Sequence, residues 1–262
     1  MTNRGILLCA DDYGIGPGVG RAIRHLVELG RLSAVSCMSL WPDFPGEAAL
    51  LAPLAGRIDL GLHFTLTADR PLRQVMIEAY LGRLDRALVA NALAHQLDAF
   101  ARAFGRAPDY IDGHQHVHLL PGVREAVLEA AERNGAYLRL TTEPLAAIAG
   151  TGVSPVKSAF LSRLGRPLER EARRRGIPGN RGFRGVRSFT ERAPVRSLFR
   201  RMINRAPAGT LIMCHPGLVD AVLESRDPLT LPREAEYNYL ASDEFPADLA
   251  AAGVRLARLS ET

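Results

Sequence analysis

Lysine is almost absent from this chain. Lys157 stands alone among 33 basic residues that are otherwise arginine, against 28 acidic ones, for a formal charge of +5 and a pI near 9.5. The densest basic stretch, Arg163–Arg187, carries no run of interleaved aromatics and no nucleic-acid motif, so it reads as a solvated helix and loop rather than a nucleic-acid face. Cysteine is scarce too. Cys9, Cys37 and Cys214 are odd in number and far apart, with no C-x-x-C pair. That excludes a disulfide framework or a zinc knuckle, and each cysteine lies in an apolar run as a small buried hydrophobe. No apolar run approaches the roughly 20 residues needed to span a bilayer. The apolar stretch behind Arg4 is too short for a secretory signal, so the expected location is the cytoplasm. Repeats, low-complexity linkers and compositional breaks are all missing. The 262 residues are therefore expected to form one domain, with a homodimer left open.

What is present is an alternation of β-type and helix-type runs from end to end. Expected strands are Ile6–Ala10, Leu32–Leu40, Ile58–Phe64, Tyr110–His114, Tyr137–Thr141, Gly185–Phe189, Thr210–His215 and Val254–Leu259. Helical spacing marks Val19–Leu29, a short helix opened by Pro45, Leu84–Phe104, a helix between Pro121 and Gly135, and another opened by Pro194. Such alternation implies parallel strands joined by helical crossovers, closed or nearly closed into an α/β barrel. Residues 151–192 fit the alternation least well and are expected to form an excursion over the barrel mouth.

Polar residues collect at the carboxyl ends of these strands, where barrel sites lie. Asp11 and Asp12 follow the first strand, His63 ends the third, His114 ends the fourth with His116 and His118 just beyond, and His215 ends the seventh. Adjacent carboxylates repel unless a cation sits beside them. One can ligate a metal while the other stays free as a base. In an extended segment the three clustered histidines would share one face. One or two of them are expected as ligands, with the rest beside the ligands or facing substrate. One carboxylate and two imidazoles with open positions suit a divalent ion, zinc more naturally than magnesium. Non-haem iron sites use the same donors, but the close His-x-Asp/Glu pair they favour is missing. Trp41, the only tryptophan, is a candidate wall of the substrate pocket or a packing residue. Arg139 and Glu143 are candidates for orienting Asp11 or holding a substrate hydroxyl, with an ion pair as the alternative. His25 and His95 lie inside helices, away from any strand end.

Ala10-Asp11-Asp12-Tyr13-Gly14, Gly61-Leu62-His63, Asp112-Gly113-His114-Gln115-His116-Val117-His118 and Cys214-His215-Pro216-Gly217 together resemble the YdjC-like carbohydrate deacetylases. That family includes chitooligosaccharide deacetylases and deacetylase-like proteins of hopanoid synthesis. The resemblance implies an irregular, TIM-like (β/α) barrel related to polysaccharide deacetylases, one divalent metal ion (zinc or magnesium), and hydrolysis of an acetamido group on a sugar, oligosaccharide or glycolipid. Carried over by position, it makes Asp12, His63 and His114 metal ligands, Asp11 the general base and His215 the general acid, with His116 or His118 as alternative acids. Tyr13 stands where Phe is common, and Gly113 where another small or polar residue is common. Hydrolysis of a phosphoester or cyclic amide, and metal-dependent sugar binding without catalysis, are the competing expectations.

Overall fold

The computed structural model describes residues 4–187 and 193–261. Eight strands are described: β1 (Arg4–Tyr13), β2 (Ala34–Cys37), β3 (Asp59–Phe64), β4 (Tyr110–Gly113), β5 (Tyr137–Leu138), β6 (Gly182–Arg184), β7 (Thr210–Cys214) and β8 (Val254–Leu256). They form one sheet in the order β5-β4-β3-β2-β1-β7-β6, with β8 beside the start of β1. Every pairing is parallel, as buried strands with helical crossovers require. The sheet curls until its ends meet. Leu138 bridges Gly179 in parallel, and the Asn180 side chain donates to the Leu140 carbonyl and accepts from its N–H, each at 2.8 Å. A side-chain amide thus replaces two backbone bonds at the seam between β5 and β6. The result is the expected irregular α/β barrel.

Among the described residues, the helices are α1 (Pro17–Glu28), α2 (Phe44–Leu51), α3 (Leu72–Tyr80), α4 (Arg86–Phe104), α5 (Val123–Asn134), α6 (Leu145–Thr151), α7 (Pro155–Arg175), α8 (Val195–Ile203), α9 (Ala221–Arg226), α10 (Leu231–Ala241) and α11 (Glu244–Ala251). Local chemistry sets their ends. Asp85 caps α4 by accepting from the N–H groups of Ala87 and Leu88, and Gly105 ends it in left-handed backbone, which a residue without Cβ adopts cheaply. Each of α1, α4 and α5 lays an apolar stripe on the strands.

The structure shifts one expected strand and adds elements that were not expected. The sixth strand is Gly182–Arg184, upstream of the expected Gly185–Phe189, because Gly185, with φ of +108°, turns the chain out of extended backbone; Arg184 pairs with Glu143 at 3.1 Å. Ser188 and Phe189 lie outside the described residues. The Arg-rich stretch supplies the second half of α7, whose Leu161, Leu168 and Ala172 are buried, and then β6. Helices α3, α6 and α9 to α11 were not anticipated. No described helix is long and apolar enough to cross a membrane.

Candidate metal and hydrolytic centre

The site begins with an irregularity in β1. Ala10 pairs with Val35, but Tyr13 pairs with Cys37, so β1 carries one residue more than β2 over this stretch. Asp12 absorbs it with φ of +67°, a left-handed backbone that costs a non-glycine residue about 1–2 kcal/mol, with aspartate among the more tolerant. The bulge has a chemical consequence. Side chains alternate along a regular strand, so Asp11 and Asp12 would face opposite ways. Here both carboxylates reach the barrel mouth.

Asp12 Oδ1 lies 2.9 Å from His114 Nδ1 and 3.3 Å from His63 Nε2. One ligand atom from each of these three residues falls within 4.8 Å of the others, and Asp12 and His63 are buried. His63 pairs in register with Asp112 across β3 and β4, and its Nδ1 is 2.6 Å from Asp112 Oδ1. A carboxylate on one ring nitrogen fixes the tautomer and leaves the other for a metal. Four carboxylates (Asp11, Asp12, Asp112, Asp227) meet two guanidiniums (Arg139, Arg233) here, so the cluster with neutral histidines is two negative charges out of balance. Burial disfavours the His63 imidazolium, yet Asp112 and Asp11 push its pKa up to about 10. The donor set, its directionality and its missing charge all fit a divalent cation.

Asp11 is held from below. Arg139, fully buried, donates from Nη1 to Asp11 Oδ2 at 2.7 Å and from Nη2 to Oδ1 at 2.6 Å. Nη2 also lies 2.6 Å from Asp112, 3.0 Å from Cys9 Sγ and 3.1 Å from Ser36 Oγ. The guanidinium fills a second cluster of metal-type donors, Cys9, Asp11 and Asp112. Burial opposes ionisation of Asp11, but the charge and hydrogen bonds of Arg139 hold its carboxyl well below the usual range. Arg139→Met would leave two buried carboxylates short of a partner. It should destabilise the fold by about 3–5 kcal/mol, readable in urea unfolding. A loss below about 1 kcal/mol would show that the pair does not hold the barrel interior together.

His215 follows β7 and stands across the mouth, its Nε2 3.9 Å from Asp11 Oδ2. Its backbone N–H donates to Glu236 Oε2 at 2.5 Å. Burial holds its imidazole below the ordinary pKa.

The other histidines depart from the shared-face expectation. Gln115 and His116 have positive φ, and residues His114–Leu119 form tight turns instead of an extended segment. Gly113 permits this, since a Cβ there would meet His118 N at 2.9 Å. His118 therefore lies inside, its Nε2 3.2 Å from the Arg139 carbonyl, with burial lowering its pKa to about 4. His116 sits on the cavity wall against the Phe183 ring. That cavity, about 300 Å³, is bounded by Asp11, Asp12, His63, His114, His116, Arg187, His215, Asp227 and Arg233. Trp41 is not among its lining residues; the indole lies under the Arg226 guanidinium at 4.4 Å. Glu143 accepts from Arg184 and from the Phe183 N–H, bracing β6 outside the cavity. Cys9, expected as a plain hydrophobe, is buried but polar in its contacts, with burial raising its pKa to about 12.

Sequence reasoning missed Arg233, Asp227 and Glu236. Arg233 Nη2 donates to Asp12 Oδ2 and to Asp227 Oδ2, each at 2.7 Å. Glu236 accepts from His215 and from Arg187. Both are nearly fully buried on one face of α10.

The family model of YdjC-like proteins matches residues 5–251. The chain belongs to the YdjC-like family. A chitooligosaccharide deacetylase of Yersinia pestis (strain Pestoides F) is 26% identical over 265 residues, covering 96% of each chain. Among solved structures, a putative cellobiose-phosphate cleavage protein of Enterococcus faecalis V583 superposes with a TM-score of 0.74 at 19% identity, over 99% of this chain and 98% of that one. A peptidoglycan N-acetylglucosamine deacetylase superposes with a TM-score of 0.55 at 13% identity, covering 100% and 89%. At such identities the structures establish shared fold, a TIM-like barrel, for this YdjC-like protein.

Proposed function

We propose that this YdjC-like protein is a metal-dependent carbohydrate N-deacetylase that cleaves an acetamido group to acetate and a free amine. The observation that carries the reading is the bulge in β1. It sends Asp12 to two imidazoles and leaves Asp11, ionised and clamped by Arg139, beside them. A site that only bound sugar would gain nothing from holding a second carboxylate charged at the mouth. The related chitooligosaccharide deacetylase, similar along nearly the whole chain, supports the choice of bond and substrate class.

Asp12, His63 and His114 would hold one divalent ion, whose Lewis acidity there would supply polarisation of the amide carbonyl and a water pKa lowered toward about 7. Asp11 accepts a proton from the attacking water as the C–O bond forms. The neutral His215 imidazole, 3.9 Å from Asp11, takes that proton on and delivers it to the departing nitrogen as the C–N bond breaks. Arg139 keeps Asp11 fixed and ionised between turnovers, and His116 faces the acyl-sugar space from the cavity wall.

Incubation with N-acetylglucosamine oligomers should yield acetate and primary amine in equal amounts, with no turnover of phosphoesters or cyclic amides. Phosphoester or cyclic-amide cleavage without acetate release would replace this reading. Substitution of Asp12, His63 or His114 by Ala should each reduce bound metal to well under one ion per chain, measured by elemental analysis. Full occupancy in all three variants would refute the ligand set.

A further inference from the structure

Asp12 has two oxygens, and the fold uses them differently. Oδ1 faces the histidines, while Oδ2 is taken by Arg233 Nη2 at 2.7 Å. The same nitrogen bonds Asp227 Oδ2 at 2.7 Å, and Nε donates to the Leu229 carbonyl at 2.9 Å. Arg233 is 1% exposed. Its backbone carbonyl accepts from the Gly217 N–H at 3.2 Å, which ties α10 to the turn after β7. The backbone at Asp12 is the bulged, left-handed point of β1, so strand pairing does not fix this side chain. Something else must.

We infer that Arg233 and Asp227 are a charge-balanced positioning pair that reserves one oxygen of Asp12 for the metal. The inference rests on the metal-site reading above. A guanidinium alone could orient Asp12, but its charge would repel a dication a few ångströms away. Asp227, on the same nitrogen, offsets that charge. The pair therefore supplies direction without a net field, and neither residue ligates the ion.

The two members have separable effects. Arg233→Met frees Oδ2 and lets the Asp12 carboxylate rotate. Asp227→Asn keeps the Arg233–Asp12 bond but exposes the ion to an unbalanced cation. Zinc affinity, measured by competition with a chromophoric chelator, should fall by about 10–100-fold in Arg233→Met and by about tenfold in Asp227→Asn, the range seen when groups behind metal ligands are removed. The double variant should lose much less than the two losses combined, because without the Arg233 charge Asp227 has nothing left to offset. Arg233→Lys should retain more affinity than Arg233→Met. Thermal unfolding in EDTA reports the fold alone. Lower zinc affinity with Asp227→Asn unfolding near the parent temperature supports the pair. Parent-like zinc affinity in Asp227→Asn, or in a folded Arg233→Met, overturns it and leaves a plain structural brace. A parent chain that bound no zinc would overturn the metal-site reading together with the pair, whereas parent-like variants of a zinc-binding parent would overturn the pair alone.

Discussion

Asp11→Asn is expected to lower kcat by about 10²–10⁴, the usual range for loss of a general base, while bound metal stays near the parent level. The amide nearly preserves the shape of the carboxylate, and Asp11 lies outside the Asp12–His63–His114 donor set. It cannot accept the water proton. Arg139 keeps Asp112 as a partner at 2.6 Å, so the guanidinium is not stranded. One Asn oxygen can still accept from Arg139, but the amide NH₂ then faces a guanidinium N–H. Some stability is lost there, on the order of 1–3 kcal/mol. Kinetics below the unfolding range, with metal analysis on the same sample, separate the two effects. A variant with near-parent kcat would remove Asp11 from the base role.

The second large effect concerns His215 and depends on the substrate. An amine is a poor leaving group unless protonated as the C–N bond breaks, whereas the phenolate of an activated aryl acetate departs unaided. His215→Ala should therefore lose about 10²–10⁴ in kcat on an N-acetyl sugar and far less on the aryl ester. The backbone N–H held by Glu236 survives the substitution, so the turn after β7 should persist. Equal losses on both substrates would point to positioning instead of proton delivery, and would move the acid role to His116 on the cavity wall.

The strand ends were legible because each follows a short apolar run, and because parallel barrels gather such ends at one mouth. Asp11, Asp12, His63, His114 and His215 could be named on that ground, and all of them border the cavity. Arg139 could be suspected from its place in the expected fifth strand, Tyr137–Thr141. The bulge at Asp12 was not legible. A one-residue excess is a relation between two strands, visible only when β1 and β2 are laid side by side. Arg233 and Glu236 were missed for another reason. A helix such as LPREAEYNYLA has low amphipathicity, and charged residues three apart read as a solvated face. Asp227 lies in the turn before that helix, and only the tertiary fold brings it and Arg233 to the cavity wall. The His116 and His118 positions depended on left-handed turns at Gln115 and His116, which period-two reasoning could not foresee. Asn180, which closes the seam between β5 and β6, sits in a glycine- and arginine-rich stretch that gives no periodic signal at all.

The most direct test of the account is acetate release from N-acetylglucosamine oligomers by protein stripped of metal with a chelator, before and after adding back a divalent ion. The account predicts little or no release from the stripped protein, recovery as about one ion per chain is restored, and no recovery in Asp12→Ala. Undiminished release from protein shown by elemental analysis to be metal-free would contradict it.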